Sequence, residues 1–224
     1  MLVAFGIPTS HAGSASPRVS RSKRKGIHPK KSKKKKVRRR RWARRGFRQL
    51  KSGPGFTVSK PAHAWGRAHV LAHLRKTFAA YRLGFPDSPP MVVHDISRRW
   101  GGRLRPHRSH RRGTDVDIQL QLSPPSKKYL RATPRTLDIT ATWFIISKLL
   151  ATRDVVYIFI DYRLQRVLHR HAKASGASRE LLEAFQYPRG RHRRQGIIRH
   201  TRGHADHMHV RFKRVPTNRI VAAL

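Results

Sequence analysis

Val70, Leu71, Leu74, Phe78 and Tyr81 recur mostly at steps of three and four, the spacing of one apolar helix face, which predicts a helix over 68–83. The turn-forming run Gly84-Phe85-Pro86-Asp87-Ser88-Pro89-Pro90 ends it. Met91 to Ile96 reads as a buried strand, followed by a loop carrying Trp100-Gly101-Gly102. From Thr114 to Leu122 the period changes to two, with Val116, Ile118, Leu120 and Leu122 on one side and Asp115, Asp117, Gln119 and Gln121 on the other. That is the signature of a half-buried strand whose polar face presents both aspartates. Thr136 to Ala151 is a mostly apolar helix with Asp138 in its first turn, where a negative charge suits the helix dipole. Val155 to Ile160 is a β-branched and aromatic run expected in a central strand. Tyr162 to Ala174 is a basic amphipathic helix, and Ser178 to Phe185 a short one capped by Ser178. Tyr187 to Arg194 is expected as a loop, with Gln195–Arg199 and His207–Phe212 as final strands. No repeat is visible. Strands and helices in this irregular order predict an α+β domain with a mainly antiparallel central sheet flanked by helices.

Charge changes the picture at the N-terminal end. Arg18 to Arg45 is almost wholly Lys, Arg, Ser and Gly, and such a stretch cannot bury enough apolar surface to offset its ordering entropy. The chain carries 52 Lys and Arg against 10 Asp and Glu, a formal net charge of +42, and all ten acids lie after residue 86. The expected organisation is therefore a basic, disordered arm over 1–55, order beginning after Gly53-Pro54-Gly55, a folded domain over 56–216 and a tail over 217–224. Long-range attraction to polyanions follows from the charge, so the arm reads as a polyanion-binding segment, the other reading being a solvated tail that keeps the protein soluble. Leu2 to Ile7, followed by Ala12-Gly13-Ser14-Ala15, resembles the end of a secretory signal, although no positive residue precedes it. No apolar run approaches the roughly 20 residues that span a bilayer. The chain has no cysteine, so a metal site must be built from His, Asp and Glu.

Two segments concentrate those groups: His107 to Asp117, and His204-Ala205-Asp206-His207-Met208-His209. On a strand, His207 and His209 point to the same face. Asp117 lies on the polar face of another strand, and His110 precedes it across a turn eased by Gly113. Two neutral imidazoles and one carboxylate make the three-ligand open zinc site whose remaining position holds water. A lone His-x-His pair means little in a chain with 15 histidines. The placement of the scarce acids Asp115, Asp117 and Asp206 in these same segments is the stronger signal. Asp115 is either an acceptor for the N–H of a ligand histidine or a solvated strand residue, and Asp206 shapes the turn before the last strand. His94, His169, His171 and His192 read as surface or packing residues.

The motif His107-x-Ser109-His110-x-x-Gly113-x-Asp115-x-Asp117, preceded by Asp95-Ile96-Ser97 and Trp100-Gly101-Gly102, is followed by Arg199-His200 and Gly203-His204-x-Asp206-His207-x-His209-Val210-Arg211. It resembles the penicillin-insensitive murein endopeptidases, relatives of D-alanyl-D-alanine carboxypeptidases, lysostaphin-type enzymes and the hedgehog fold, over about residues 85 to 213. The resemblance implies a zinc site in a cleft on the sheet, with one Zn²⁺ bound by His110, Asp117 and His209. It implies that His207 is general base or proton carrier, and that His204 and His107 line the site and assist substrate or intermediate. The implied substrate is a peptide cross-link of peptidoglycan, typically D-alanine to meso-diaminopimelate, cut without a serine nucleophile in the periplasm or cell envelope. Some members have disulfides that this chain lacks. A base must reach the metal-bound water, and His207, two positions from His209, is well placed for that. Arg105, Arg108, Arg111 and Arg112 would then rim a cleft for an acidic substrate. The alternative is a polyanion- or nucleic-acid-binding protein without catalysis, with Trp42 and Phe47 as stacking groups in the basic run and no specific nucleic acid implied.

Overall fold

In the computed structural model, residues 46–125 and 130–214 are described. The elements are β1 (Phe47–Gln49), β2 (Phe56–Val58), a 3-10 turn (Pro61–His63), β3 (Trp65–Arg67), α1 (Ala68–Gly84), β4 (Met91–Val93), β5 (Asp115–Gln119), α2 (Ile139–Ala151), β6 (Val155–Phe159), α3 (Tyr162–Ala174), α4 (Arg179–Glu183), β7 (Ile198–Arg199) and β8 (His207–Phe212). The fold is α+β. A six-stranded mixed sheet runs in the order β2-β4-β5-β8-β6-β7, and β1 and β3 form a separate antiparallel pair.

The four inner strands are antiparallel, but the edge pairs β2–β4 and β6–β7 are parallel. Parallel neighbours need a crossover connection, and the chain supplies one at each end of the sheet: α1 between β2 and β4, α3 and α4 between β6 and β7. One face of the sheet packs on the helices. Val116, Ile118, Ile158, Met208, Val210 and Phe212 join Leu71, Leu74 and Phe78 of α1 and Ile145, Ile146 and Leu149 of α2 in one core. The opposite face carries the polar alternates of β5 and β8.

The structure revises the expected elements in four places. Phe47 and Leu50 are buried and β1 pairs with β3, so ordered structure starts ahead of Gly53-Pro54-Gly55. The basic arm up to residue 45, the signal-like start and the tail lie outside the described residues. β5 is buried on both faces, with Asp115 and Asp117 as enclosed as Val116 and Ile118, because the loop carrying His107 and His110 covers the polar side. Asp138 lies one residue ahead of α2 as its N-cap, where its side chain accepts from Ala141 N at 2.9 Å. The strand expected over 195–199 shortens to Ile198–Arg199. Among the described residues no helix is long and apolar enough to cross a membrane.

Candidate metal centre

The β5–β8 ladder sets Asp117 opposite His209, Asp115 opposite Arg211 and Gln119 opposite His207. Residues directly opposite share a face, so the ladder alone gathers two carboxylates and two imidazoles above the sheet. His110 arrives from the loop before β5. Gly113 turns that loop at φ +69°, and a Cβ there would lie 2.7 Å from Phe47 Cε1 and 3.0 Å from Gly66 Cα. The glycine lets the loop close under the β1–β3 pair, where its carbonyl accepts from Arg67 N at 2.9 Å. Arg111 O in turn accepts from Gly102 N at 2.9 Å, tying the His110 loop to the Trp100-Gly101-Gly102 turn.

Three donor atoms converge. His110 Nε2 is 3.1 Å from His209 Nδ1 and 3.2 Å from Asp117 Oδ1, and His209 Nδ1 is 2.9 Å from Asp117 Oδ1. The outer nitrogens fix the tautomers. His110 Nδ1 lies 3.1 Å from the carbonyl of Ile96, which can only accept, so Nδ1 carries the proton and the neutral ring turns the Nε2 lone pair inward. His209 Nε2 lies 3.0 Å from Asp115 Oδ1 and donates to it, so its Nδ1 lone pair also faces inward when the ring is neutral. With both rings neutral, two imidazole lone pairs and a carboxylate oxygen therefore converge, a donor set able to hold a divalent cation. Ligand atoms about 2.0–2.1 Å from a tetrahedral zinc sit roughly 3.3–3.4 Å apart, within a few tenths of an ångström of the spacing found.

His107, expected to line the site, also reaches the donor set. One ligand atom each from His107, His110 and Asp117 lies within 4.8 Å of the others, a grouping able to hold a metal ion. Its Nδ1 is 3.7 Å from Asp117 Oδ2, while its Nε2 is 3.0 Å from Asp95 Oδ2. Asp95 is buried and is shared with His63 Nδ1 at 2.7 Å and Lys60 Nζ at 3.6 Å. His207 sits at the open side, with Nε2 3.8 Å from Asp117 Oδ1 and Nδ1 2.6 Å from Asp206 Oδ1. Asp206 thus does more than shape a turn: it holds the Nδ1–H tautomer and leaves the Nε2 lone pair toward the centre. The His204 ring stands 4.8 Å from that of His207 and 6.0 Å from that of His209, with its Nδ1 donating to Arg202 O at 3.0 Å.

The electrostatics follow from these contacts. Burial works to raise Asp117, but hydrogen bonds from His110 and His209 and their charges outweigh it and hold the carboxyl far below the usual range. Asp115 is lowered likewise, burial being overcome by His209 and Arg211, whose Nε lies 2.7 Å from Oδ1. Asp95 is lowered against its burial by His63, Lys60 and His107. Burial alone would lower His209, yet its hydrogen bonds to Asp115 and Asp117 raise it. His204 is lowered by burial first and by the neighbouring His207 second, so it stays neutral.

The structure brings together all seven residues expected at the site, His107, His110, Asp115, Asp117, His204, His207 and His209. Asp95 and His63 carried no expected role. Asp95 was visible as one of ten acids at the end of an apolar strand. Nothing local marks His63, which reaches Asp95 only through a long-range contact. His94, expected as a surface or packing residue, hydrogen-bonds Ser59 Oγ at 2.8 Å and Gln119 Oε1 at 3.1 Å. Arg105, Arg108, Arg111 and Arg112 are all exposed on the loop that carries the histidines.

Comparison with known proteins adds one result. The family model described as penicillin-insensitive murein endopeptidase matches residues 45–220, most of the chain. No curated protein matches it.

Proposed function

We propose, because this chain belongs to the penicillin-insensitive murein endopeptidase family, that it hydrolyses peptide cross-links of peptidoglycan at a zinc centre held by His110, Asp117 and His209. The observation that carries the metal reading is the convergence of three donor atoms from these residues. Bound there, zinc supplies a Lewis acid for the scissile carbonyl and a water acidified to a pKa of roughly 7. The chain's own residues supply the rest. His207 offers Nε2 as proton acceptor on the open side and, once protonated, returns the proton to the leaving amine. Asp206 keeps that ring in the accepting tautomer and stabilises its cationic form. Asp115 fixes His209, and Asp95 fixes His107 at the edge of the centre. His204, kept neutral beside His207, lines the site.

A serine nucleophile has no part in this arrangement, which accounts for insensitivity to penicillin. The substrate places the enzyme in the periplasm or cell envelope, and the basic N-terminal arm is suited to hold it to an anionic envelope polymer. Deleting residues 1–44, which spares β1, should weaken attachment to sacculi in a salt-dependent way.

The deciding experiment combines elemental analysis of purified protein with digestion of sacculi, with and without a chelator, followed by mass analysis of the fragments. About one zinc per chain and chelator-sensitive release of peptides cut at the cross-link are expected. His110→Ala should lose both. A metal-free protein that still cleaves muropeptides would overturn the metal reading. A folded protein that retains polyanions, cleaves nothing and is indifferent to His110→Ala would establish the non-catalytic binding alternative.

A further inference from the structure

The row of side chains through the metal centre continues across the sheet. Asp117 is opposite His209, His209 is opposite Phe159, and Phe159 is opposite Arg199. In the next row Asp115 is opposite Arg211, and Arg211 is opposite Tyr157. All these positions share the catalytic face, so β6 and β7 extend the floor of the cleft away from β5.

That extension has a defined chemistry. Tyr157 and Phe159 lie side by side, with ring centroids 5.7 Å apart, and Phe159 is 5.6 Å from the His209 ring. Arg199 lays its guanidinium over Tyr157 at 4.1 Å, and Arg211 stands 5.9 Å from the Phe159 centroid. Each guanidinium is anchored through its Nε, Arg199 to Gly196 O at 2.8 Å and Arg211 to Asp115 Oδ1 at 2.7 Å. Both therefore keep the Nη edge as a fork of parallel donors, the geometry that grips a carboxylate. Asp115 balances the charge of Arg211. Among the described residues no carboxylate pairs with Arg199, although its side chain is half-buried on the aromatic floor.

We propose that Arg199, aided by Arg211, forms a carboxylate subsite of the cleft that recognises a free carboxylate of the peptide substrate two or three residues from the scissile amide. The spacing follows from the fold. Two strand intervals of about 4.7–4.9 Å separate His209 from Arg199, roughly 9–10 Å, and an extended peptide covers that distance in two to three residues at about 3.3–3.6 Å each. A cross-linked peptide containing diaminopimelate and D-alanine has free carboxylates within that reach. The arrangement holds the chain across the sheet, with the cut bond over His110, Asp117 and His209. This subsite rests on the endopeptidase reading and adds the substrate group it selects.

The test uses the full zinc-loaded chain and two cross-linked muropeptides that differ only in having free carboxylates or carboxamides beside the cross-link. Wild type should prefer the acid by about tenfold or more in kcat/KM, the discrimination expected of a forked guanidinium. Arg199→Ala should bring the acid-to-amide ratio close to one. Arg199→Lys, which keeps a charged stem over Tyr157 but loses the fork, should fall between, and it guards against a collapse that reflects misfolding alone. Equal turnover of the two peptides by wild type, or an undiminished ratio in Arg199→Ala, overturns the subsite. Cleavage of neither peptide by wild type is a failure of the endopeptidase reading instead. The same acid-to-amide ratio, measured as equilibrium binding of the uncut peptides to wild type and Arg199→Ala, then decides the subsite.

Discussion

Asp115 accepts from Nε2 of His209 at 3.0 Å, and this contact determines which nitrogen of His209 faces Asp117 and His110 at the proposed metal centre. Arg211 backs the carboxylate from behind at 2.7 Å. Replacing Asp115 by Ala frees His209 to adopt the other tautomer and to swing. Zinc affinity should fall by about 10–100-fold, the usual cost of losing such a supporting partner, with the fold retained. Competition against a chromophoric chelator measures this. Affinity equal to wild type would show that the ladder alone, through Asp117 opposite His209, suffices to hold the ring.

The raised pKa of His209 predicts how zinc binding depends on pH. In the metal-free protein Asp115 and Asp117 overcome the effect of burial and favour the protonated ring. A histidine raised in the folded state contributes stability that is fully present below its unfolded value of about 6.5 and is lost as pH rises through the folded value. Zinc needs the neutral ring, so binding displaces that proton and strengthens as pH rises over the same interval. The zinc-induced increase in Tm should therefore be larger at about pH 8 than at about pH 6. Calorimetry near neutrality should show proton release, as a binding enthalpy that varies with the ionisation enthalpy of the buffer. No buffer dependence would mean that His209 is already neutral before the metal arrives.

Gly113 and Gly102 separate two costs of a side chain in the loop that carries His110. Both have positive φ, +69° and +89°, but only at Gly113 would a Cβ meet neighbours, with nothing within 4 Å at Gly102. Gly102→Ala should destabilise by about 1–2 kcal/mol, the left-handed penalty alone. Gly113→Ala adds a clash with Phe47 and the β3 backbone, for roughly 2–5 kcal/mol in all. It should also lower zinc content, because the loop pivots at its base. Denaturant titration compares the two, and equal losses would show that Phe47 yields freely.

Much of this site could be read in the chain because its two halves are short and regular. Asp115 and Asp117 alternate with Val116 and Ile118, and His207 and His209 with Met208 and Val210, so one period places four of the groups on one face. The helix periodicity of α1 likewise marks Val70, Leu71, Leu74, Phe78 and Tyr81, all fully buried. What escaped detection depends on distant partners. Phe47 sits next to the arginine-rich arm and looks like part of it, and only its packing beneath Arg67 and Gly113 makes it a core residue. Asp95 stands in the motif but without a role legible there, since its partners His63 and His107 lie 32 and 12 residues away. The parallel edges of the sheet depend on helices crossing over it, which alternation within single strands does not encode. Asp138 as a cap rather than a first-turn residue is a matter of one residue's backbone angles.

His207 and Asp206 separate catalysis from metal binding. His207 stands 3.8 Å from Asp117 and belongs to no pair in the tight donor triangle, so His207→Ala should leave about one zinc per chain in place. It should nevertheless cut kcat by about 10²–10⁴-fold, the range lost when a positioned proton carrier is removed. Asp206→Asn keeps the size of the partner but exchanges an acceptor with full charge for a neutral amide. That weakens the hold on the Nδ1–H tautomer. Its kcat should fall less than that of His207→Ala, because the ring itself remains. A drop in zinc content in either variant would instead make His207 a ligand, and a kcat equal to wild type in Asp206→Asn would show that Asp206 does not orient the ring.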